Sequence, residues 1–258
     1  MIKLTRVKSE TQNAPKIFII SGGPGLSSNT LRDLDLLKRS FELVYVDIQG
    51  TNGSDYTGKK SFVEIASALA DVVVNESGEK FSLGHSFGGF LAAELFIREV
   101  VSGLVCISTP FTKEALSAAN DNYNLNKTSA LSEAEIEWSK NQDDASFSKW
   151  LSEYGELYFK TPKGKGILQN DKVSARYFKD NRSDVLDKET ILSSLAQIGS
   201  KKVFIAGTDD KLLPASILEK DSHLGKFDFN QIEDASHFVM IDQPVMVAKV
   251  IETKLLQG

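Results

Sequence analysis

Short apolar runs recur along the chain at Lys16–Ile20, Phe41–Val46, Lys80–Leu83, Gly103–Ile107, Lys202–Ala206 and Phe227–Ile232. Several hold almost no polar position, as strands covered on both faces do. Helical patterns separate them. Ser61-Phe62-Val63-Glu64 is a capping box that opens a helix through about Val74. Phe87 to Val100 places Phe90, Leu91, Leu95 and Ile97 near helical spacing, and Val245 to Leu256 predicts a terminal helix. The short segment Ile2–Val7 fits an edge strand. Strand–helix alternation of this kind argues an α/β fold with a mainly parallel sheet.

The alternation stops between about Phe111 and Gln197. This stretch is polar and helix-prone, and it reads as a helical insertion between two strands of the sheet. Ser132-Glu133-Ala134-Glu135 is a second capping box leading into Ile136 and Trp138. Asp143-Asp144 marks a break. Phe147, Trp150, Leu151, Tyr154 and Leu157 then recur at helical spacing, and Thr161–Gly166 reads as a loop. The aromatic residues Trp138, Trp150 and Tyr154 could either line a pocket or pack the insertion on the core.

Composition narrows the function classes. The 258 residues are 41% hydrophobic and 25% charged, ordinary for a folded domain, and the net charge is −5. That balance disfavours a nucleic-acid partner, which would need clustered Lys and Arg. A single cysteine, Cys106, excludes an internal disulfide and any multi-cysteine metal site. The N-terminus lacks the apolar run of a secretory signal, and no stretch approaches the roughly 20 apolar residues of a membrane span. A cytoplasmic protein without a membrane partner is the expectation.

Three segments carry chemistry. Gly84-His85-Ser86-Phe87-Gly88 is a G-x-S-x-G, which alone occurs by chance in roughly one chain in ten of this size. Here it lies between a predicted strand and a predicted helix, the setting of a nucleophile elbow, with Ser86 as nucleophile. A serine hydroxyl needs a base to take its proton, and the base needs an orienting carboxylate. The order Ser, then Asp, then His is met by Gly207-Thr208-Asp209-Asp210-Lys211-Leu212-Leu213-Pro214 and by Ala235-Ser236-His237-Phe238. His237 is the candidate base. Asp209 and Asp210 compete as its orienter, and the spacing from Gly207 and to Pro214 favours Asp210. His223 lies in a polar stretch and reads as solvated; His85 reads as support for the elbow or as pocket lining. Ser21-Gly22-Gly23-Pro24-Gly25 follows the first clear strand. It is neither a phosphate-binding loop nor a dinucleotide fingerprint. Backbone free of side chains there can aim an N–H at a developing oxyanion, from Gly23 or alternatively Gly22, with the N–H of Phe87 as the second donor.

These residues resemble the α/β-hydrolase superfamily, and within it the proline iminopeptidase-like group. Ser21–Gly25 is similar to that group's His-Gly-Gly-Pro-Gly, with Ser21 in place of His. The elbow Gly84–Gly89, the acid segment Gly207–Pro214, and Ser236-His237 with Asp242-Gln243-Pro244 match the superfamily pattern. The segment Asp47–Ser54 departs from the group's Asp-Gln-Arg-Gly-x-Gly-x-Ser: the arginine is absent and the second glycine is displaced. The resemblance implies a mostly parallel eight-stranded sheet with helices on both faces, a core of residues 1–110 and 198–258, and a helical cap of residues 111–197. It also implies an acyl-enzyme mechanism on a small-molecule or short-peptide substrate, with no metal or organic cofactor. An aminopeptidase of proline iminopeptidase type competes with a carboxylesterase or lactonase; a non-catalytic binding protein on the same scaffold is the rival of another class. An acidic cluster in the cap would favour the peptidase, because a free ammonium needs a paired charge. Glu133, Glu135, Glu137, Glu153 and Glu156 are the candidates by charge.

Overall fold

The computed structural model describes residues 2–182, 188–199 and 201–257. Residues 1, 200 and 258 of the expected core and 183–187 of the expected cap lie outside the described residues. The strands are β1 (Lys3–Val7), β2 (Lys16–Ile20), β3 (Glu42–Asp47), β4 (Lys80–His85), β5 (Gly103–Ile107), β6 (Lys201–Gly207) and β7 (Asp228–Ile232). They form one sheet in the order β1-β3-β2-β4-β5-β6-β7. Only β1 runs antiparallel, on the edge beside β3. Seven strands are therefore described, not the expected eight. The segment ahead of β2 holds one strand and a polar turn around Thr11–Asn13, where two strands would be needed.

Period-two alternation sends each strand's side chains to both faces. Phe18, Ile20, Leu104, Cys106, Phe204 and Ala206 join a cluster with the helices α1 (Phe62–Val74) and α2 (Phe87–Ile97). Ile17, Ile19, Val105, Ile107, Val203 and Ile205 face the opposite cluster, which includes Leu31, Leu34 and Leu37. Those leucines recur every third residue on a 3₁₀ helix over Ser28–Arg39, an element that hydrophobic periodicity at 3.6 does not reveal. The Ser61–Glu64 capping box forms as expected: Ser61 Oγ accepts from the Glu64 N–H, and the Ser61 N–H donates to Glu64 at 2.8 Å. Such a cap stabilises a helix by about 1 kcal/mol.

Between β5 and β6 run α3 (Lys113–Asn126), α4 (Ser129–Asn141), α5 (Asp144–Ser152), α6 (Pro162–Gln169), α7 (Ala175–Asn181) and α8 (Glu189–Leu195). Three local expectations need correction. The Ser132–Glu135 box does not open α4: Thr128 caps it one turn earlier, accepting from the Leu131 N–H at 3.1 Å, and Ser132 lies inside the helix. The expected loop Thr161–Gly166 is largely helical. Pro162 starts α6 at a position where its missing N–H costs nothing. Gly164 is required by packing, since a Cβ there would lie 2.1 Å from the Phe159 ring. The helical spacing from Phe147 onward holds only to Ser152; a 3₁₀ turn, Gly155–Leu157, follows.

Buried carboxylates tie this block to the sheet. Asp221 of α9 (Ala215–Leu224) accepts from the N–H groups of Phe111 and Thr112 and from the Thr112 hydroxyl. Asp171, between α6 and α7, accepts from the Ser27 N–H at 2.9 Å and from the Ser27 hydroxyl. A single-turn helix, α10 (Val239–Asp242), and a long helix, α11 (Pro244–Leu256), follow β7.

Candidate active site

β4 ends at His85 and α2 begins at Phe87, so Ser86 alone makes the turn between them. Its backbone lies at φ 51°, ψ −121°, a region that costs a non-glycine residue about 1–3 kcal/mol. The surroundings hold it there. The Ser86 N–H donates to Ile107 O of β5 at 2.8 Å, and Ser86 O accepts from the Gly89 N–H at 2.9 Å. Close approach demands the flanking glycines. A Cβ on Gly84 would meet Gly88 O at 2.2 Å, and one on Gly88 would meet Ile20 O at 2.3 Å.

The glycine-rich loop after β2 lies against this turn. A Cβ on Gly22 would sit 3.1 Å from Ser86 Cβ and equally close to His85 O. Gly23 has φ 114° and precedes a cis bond to Pro24. Ser21, which stands where the similar group has histidine, donates its hydroxyl to Leu26 O at 2.7 Å and closes the loop on itself. The departing segment Asp47–Ser54 is structural: Asp47 accepts from the Ser28 N–H and hydroxyl and from Asn52 Nδ2 at 2.8–3.0 Å.

Asp210 and His237 come together from the loops after β6 and β7. His237 Nδ1 lies 2.9 Å from Asp210 Oδ2, with both side chains buried. The second oxygen, Asp210 Oδ1, accepts from the Leu212 and Leu213 N–H groups at 3.0 and 2.8 Å. Asp209 points elsewhere. It is exposed, and the Lys160 ammonium that it pairs with holds its carboxyl below the usual range.

His85 is buried behind the turn. Its Nε2 lies 3.1 Å from His237 O, and its Nδ1 has no hydrogen-bond partner. Burial holds its pKa well below the ordinary histidine value, so the ring is neutral and Nε2–H is the donor. His223 is exposed on the last turn of α9. Cys106 is buried in β5, and burial pushes its thiol pKa up, which disfavours the reactive thiolate.

Sequence reasoning assigned no role to the residues that fix the His237 loop. Ser236 donates its N–H and hydroxyl to Asp242 at 2.9 and 2.6 Å, and Lys160 N–H reaches the same carboxylate. The Tyr158 ring stacks on His237. Asp242 was within a matched motif, but nothing local pointed to Tyr158, which belongs to a distant part of the chain.

Trp138 and Trp150 stack at 6.2 Å within 6° of parallel and pack against Phe147 and Phe178. They also line a cavity of about 360 Å³ with Glu135, Gln142 and Lys179. Four of the five acidic residues proposed by charge are paired. Glu135 pairs with Lys127, Glu137 with Lys149, Glu153 with Lys165 and Glu156 with Lys211. Glu133 is exposed. Among the described residues no three His, Cys, Asp or Glu side chains converge as a metal would require, and no helix is long and apolar enough to cross a membrane.

Residues 17–250 match the Alpha/beta hydrolase family. The chain belongs to that family. No curated protein matches it in sequence. Among solved structures, this α/β-hydrolase is similar to a thermophilic esterase from Thermogutta terrifontis, with a TM-score of 0.76 and 15% identity over 99% of this chain and 93% of that one. An esterase from Exiguobacterium antarcticum gives 0.71 and 15%, covering 98% and 94%. A proline iminopeptidase from Mycobacterium smegmatis gives 0.68 and 16%, covering 99% and 94%. At such identities the likeness speaks for the fold alone.

Proposed function

We propose that this α/β-hydrolase is a serine hydrolase of the carboxylesterase type, acting on an uncharged ester. The observation that carries the chemistry is the buried 2.9 Å pair between His237 Nδ1 and Asp210, joined through the His85–His237 O contact to the strained turn that holds Ser86. With Nδ1 committed to Asp210, Nε2 is the nitrogen available to take the Ser86 proton. Ser86 Oγ then bonds to the substrate carbonyl carbon. The carbonyl oxygen becomes an oxyanion, received by the N–H groups of Phe87 and Gly23, with Gly22 as the alternative to Gly23. Collapse breaks the bond to the leaving oxygen, which takes the proton from His237. Water, deprotonated by His237, releases the acid and restores Ser86.

Ester is preferred over N-terminal amide because Glu135, Glu137, Glu153 and Glu156 already face lysines. None of the five candidates therefore offers the buried carboxylate without a partner that a substrate ammonium would need. The second reading, an aminopeptidase of proline iminopeptidase type, rests on the likeness of Ser21–Gly25 to that group's loop.

The test is a panel of short-chain aryl esters and aminoacyl-arylamides, together with fluorophosphonate labelling. Ester turnover and covalent labelling are expected. Ser86→Ala should abolish labelling and lower turnover by about 10³-fold or more while the circular dichroism spectrum stays unchanged. Undiminished turnover in a folded Ser86→Ala variant would overturn the assignment, and an unlabelled, inactive wild type would favour a binding role.

A further inference from the structure

Tyr158 stands where the helical block meets the His237 loop. It follows the 3₁₀ turn Gly155–Leu157, and its ring lies over the His237 imidazole with centroids 5.3 Å apart and planes 19° from parallel. Its backbone grips both neighbours of that histidine. Tyr158 O accepts from the Phe238 N–H at 3.0 Å and lies 2.7 Å from Ser236 Oγ, sharing that hydroxyl's one proton with Asp242. Tyr154 stacks on the Tyr158 ring at 4.2 Å, and Trp150 packs edge-on against Tyr154 at 5.5 Å. An unbroken series of aromatic contacts thus runs from the centre of the block to the imidazole.

A base held at one nitrogen is incompletely fixed. The Asp210 contact restrains Nδ1 but leaves the ring able to tilt about that bond, and tilt moves Nε2, the atom that must meet Ser86. A flat ring stacked on the imidazole opposes such tilt. Its electron-rich face also favours the imidazolium that forms when His237 takes a proton.

We propose that Tyr158 is a positioning residue whose ring holds the His237 imidazole in the plane needed for proton transfer, so that the packing of the helical block reaches the base. This rests on the reading of His237 as the base. The ring is the active part and the hydroxyl is dispensable.

The experiment compares Tyr158→Phe, which keeps the ring, with Tyr158→Leu, which removes it; Tyr158→Met is the second ring-less variant should leucine not fold. On an aryl ester, Tyr158→Phe is expected to keep kcat within about 3-fold of wild type. Tyr158→Leu should lose about 10-fold or more in kcat with KM changed by less than about 2-fold, because misplacement affects the transition state more than substrate binding. A kcat preserved in the ring-less variants, equal losses in the Phe and Leu variants, or a loss confined to KM would overturn the proposal.

A second readout does not depend on turnover. The chain has three histidines, so the His237 ring proton is assignable in an NMR spectrum by comparison with His237→Gln. That signal should move downfield in Tyr158→Leu, as it leaves the shielding face of the ring, and stay in place in Tyr158→Phe. An unmoved signal overturns the stacking role even if the hydrolase reading holds. An inactive, unlabelled wild type in which the signal does move refutes the hydrolase reading and leaves the stacking intact.

Discussion

Neighbouring residues of the same type have opposite fates at the acid segment. Asp209 and Asp210 are adjacent in sequence, yet one is exposed and paired with Lys160 while the other is buried against His237. Two backbone N–H groups, from Leu212 and Leu213, fix the Asp210 carboxylate in place, so its orientation does not depend on the histidine. Asp210→Asn keeps the shape but cannot stabilise the imidazolium. It should lower kcat on an ester by about 10³–10⁴-fold. Asp209→Asn removes one partner of an exposed ion pair and should change kcat by less than about 3-fold, since solvent screens such pairs and the residue does not touch His237. Steady-state kinetics on the two purified variants decides between them; a larger loss from Asp209→Asn would show that the orienter has been misassigned. The preference for Asp210 was legible in the spacing from Gly207 to Pro214. The arrangement of His85 was less so. Its place before Ser86 suggested support, but its bond to His237 O joins two loops that only the folded sheet brings together.

The helical block is attached at a few buried polar points, and one of them responds to pH. Asp171 accepts two hydrogen bonds from Ser27, and the buried Asp47 carboxylate acts on it as a like charge. Burial raises its carboxyl from 3.8 to about 6, against the opposing pull of the Ser27 donors. The folded value lies above the unfolded one, so proton binding favours the fold. That contribution is complete below about pH 4 and is lost as pH rises through about 6. Asp171→Asn keeps an acceptor for the Ser27 N–H and a group for its hydroxyl, without the charge. Its stability relative to wild type should therefore rise between about pH 4 and pH 7 by roughly 1–3 kcal/mol, which is a few degrees in Tm for a chain of this size. Thermal melts at a series of pH values read this directly, and parallel curves for the two proteins would contradict it. The sequence hid this attachment for a physical reason. Asp171 lies in a polar stretch whose local pattern shows neither strand nor helix, and its partner is on the far side of the chain. The capping boxes tell the same story at short range. Ser61–Glu64 is decided by four consecutive residues and was legible, whereas Ser132–Glu135 lost to Thr128, which offers a cap one turn sooner.

At the scale of the whole molecule, what was legible is what local periodicity encodes. Strands such as Ile17–Ile20 and Leu104–Ile107 are apolar on both faces because helices cover both, and that is readable without a structure. The strand count was readable too: the six apolar runs and the edge segment Ile2–Val7 are the seven strands described, and the figure of eight came only from the resemblance. Charge placement was hidden: composition gives a net charge of −5 but not which acids lack partners. In the fold, four of the five candidate glutamates of the helical block face lysines, and the fifth is exposed. A substrate with a free ammonium next to its scissile carbonyl would therefore lose water without gaining a buried, unpaired carboxylate from these five, which is unfavourable for a charge entering a protected site. Two aryl esters that differ only in an α-hydrogen or an α-ammonium on the acyl group isolate this effect, because the leaving group and the chemistry at the carbonyl are shared. The uncharged ester should have the higher kcat/KM, by about 10-fold or more, a difference of about 1.4 kcal/mol in transition-state binding. Because an α-ammonium also activates the carbonyl electronically, each kcat/KM is divided by the ester's own rate of hydroxide hydrolysis before comparison. A corrected ratio that favours the ammonium ester would mean that one of the lysine pairs opens to receive it, and would return the reading to an aminopeptidase.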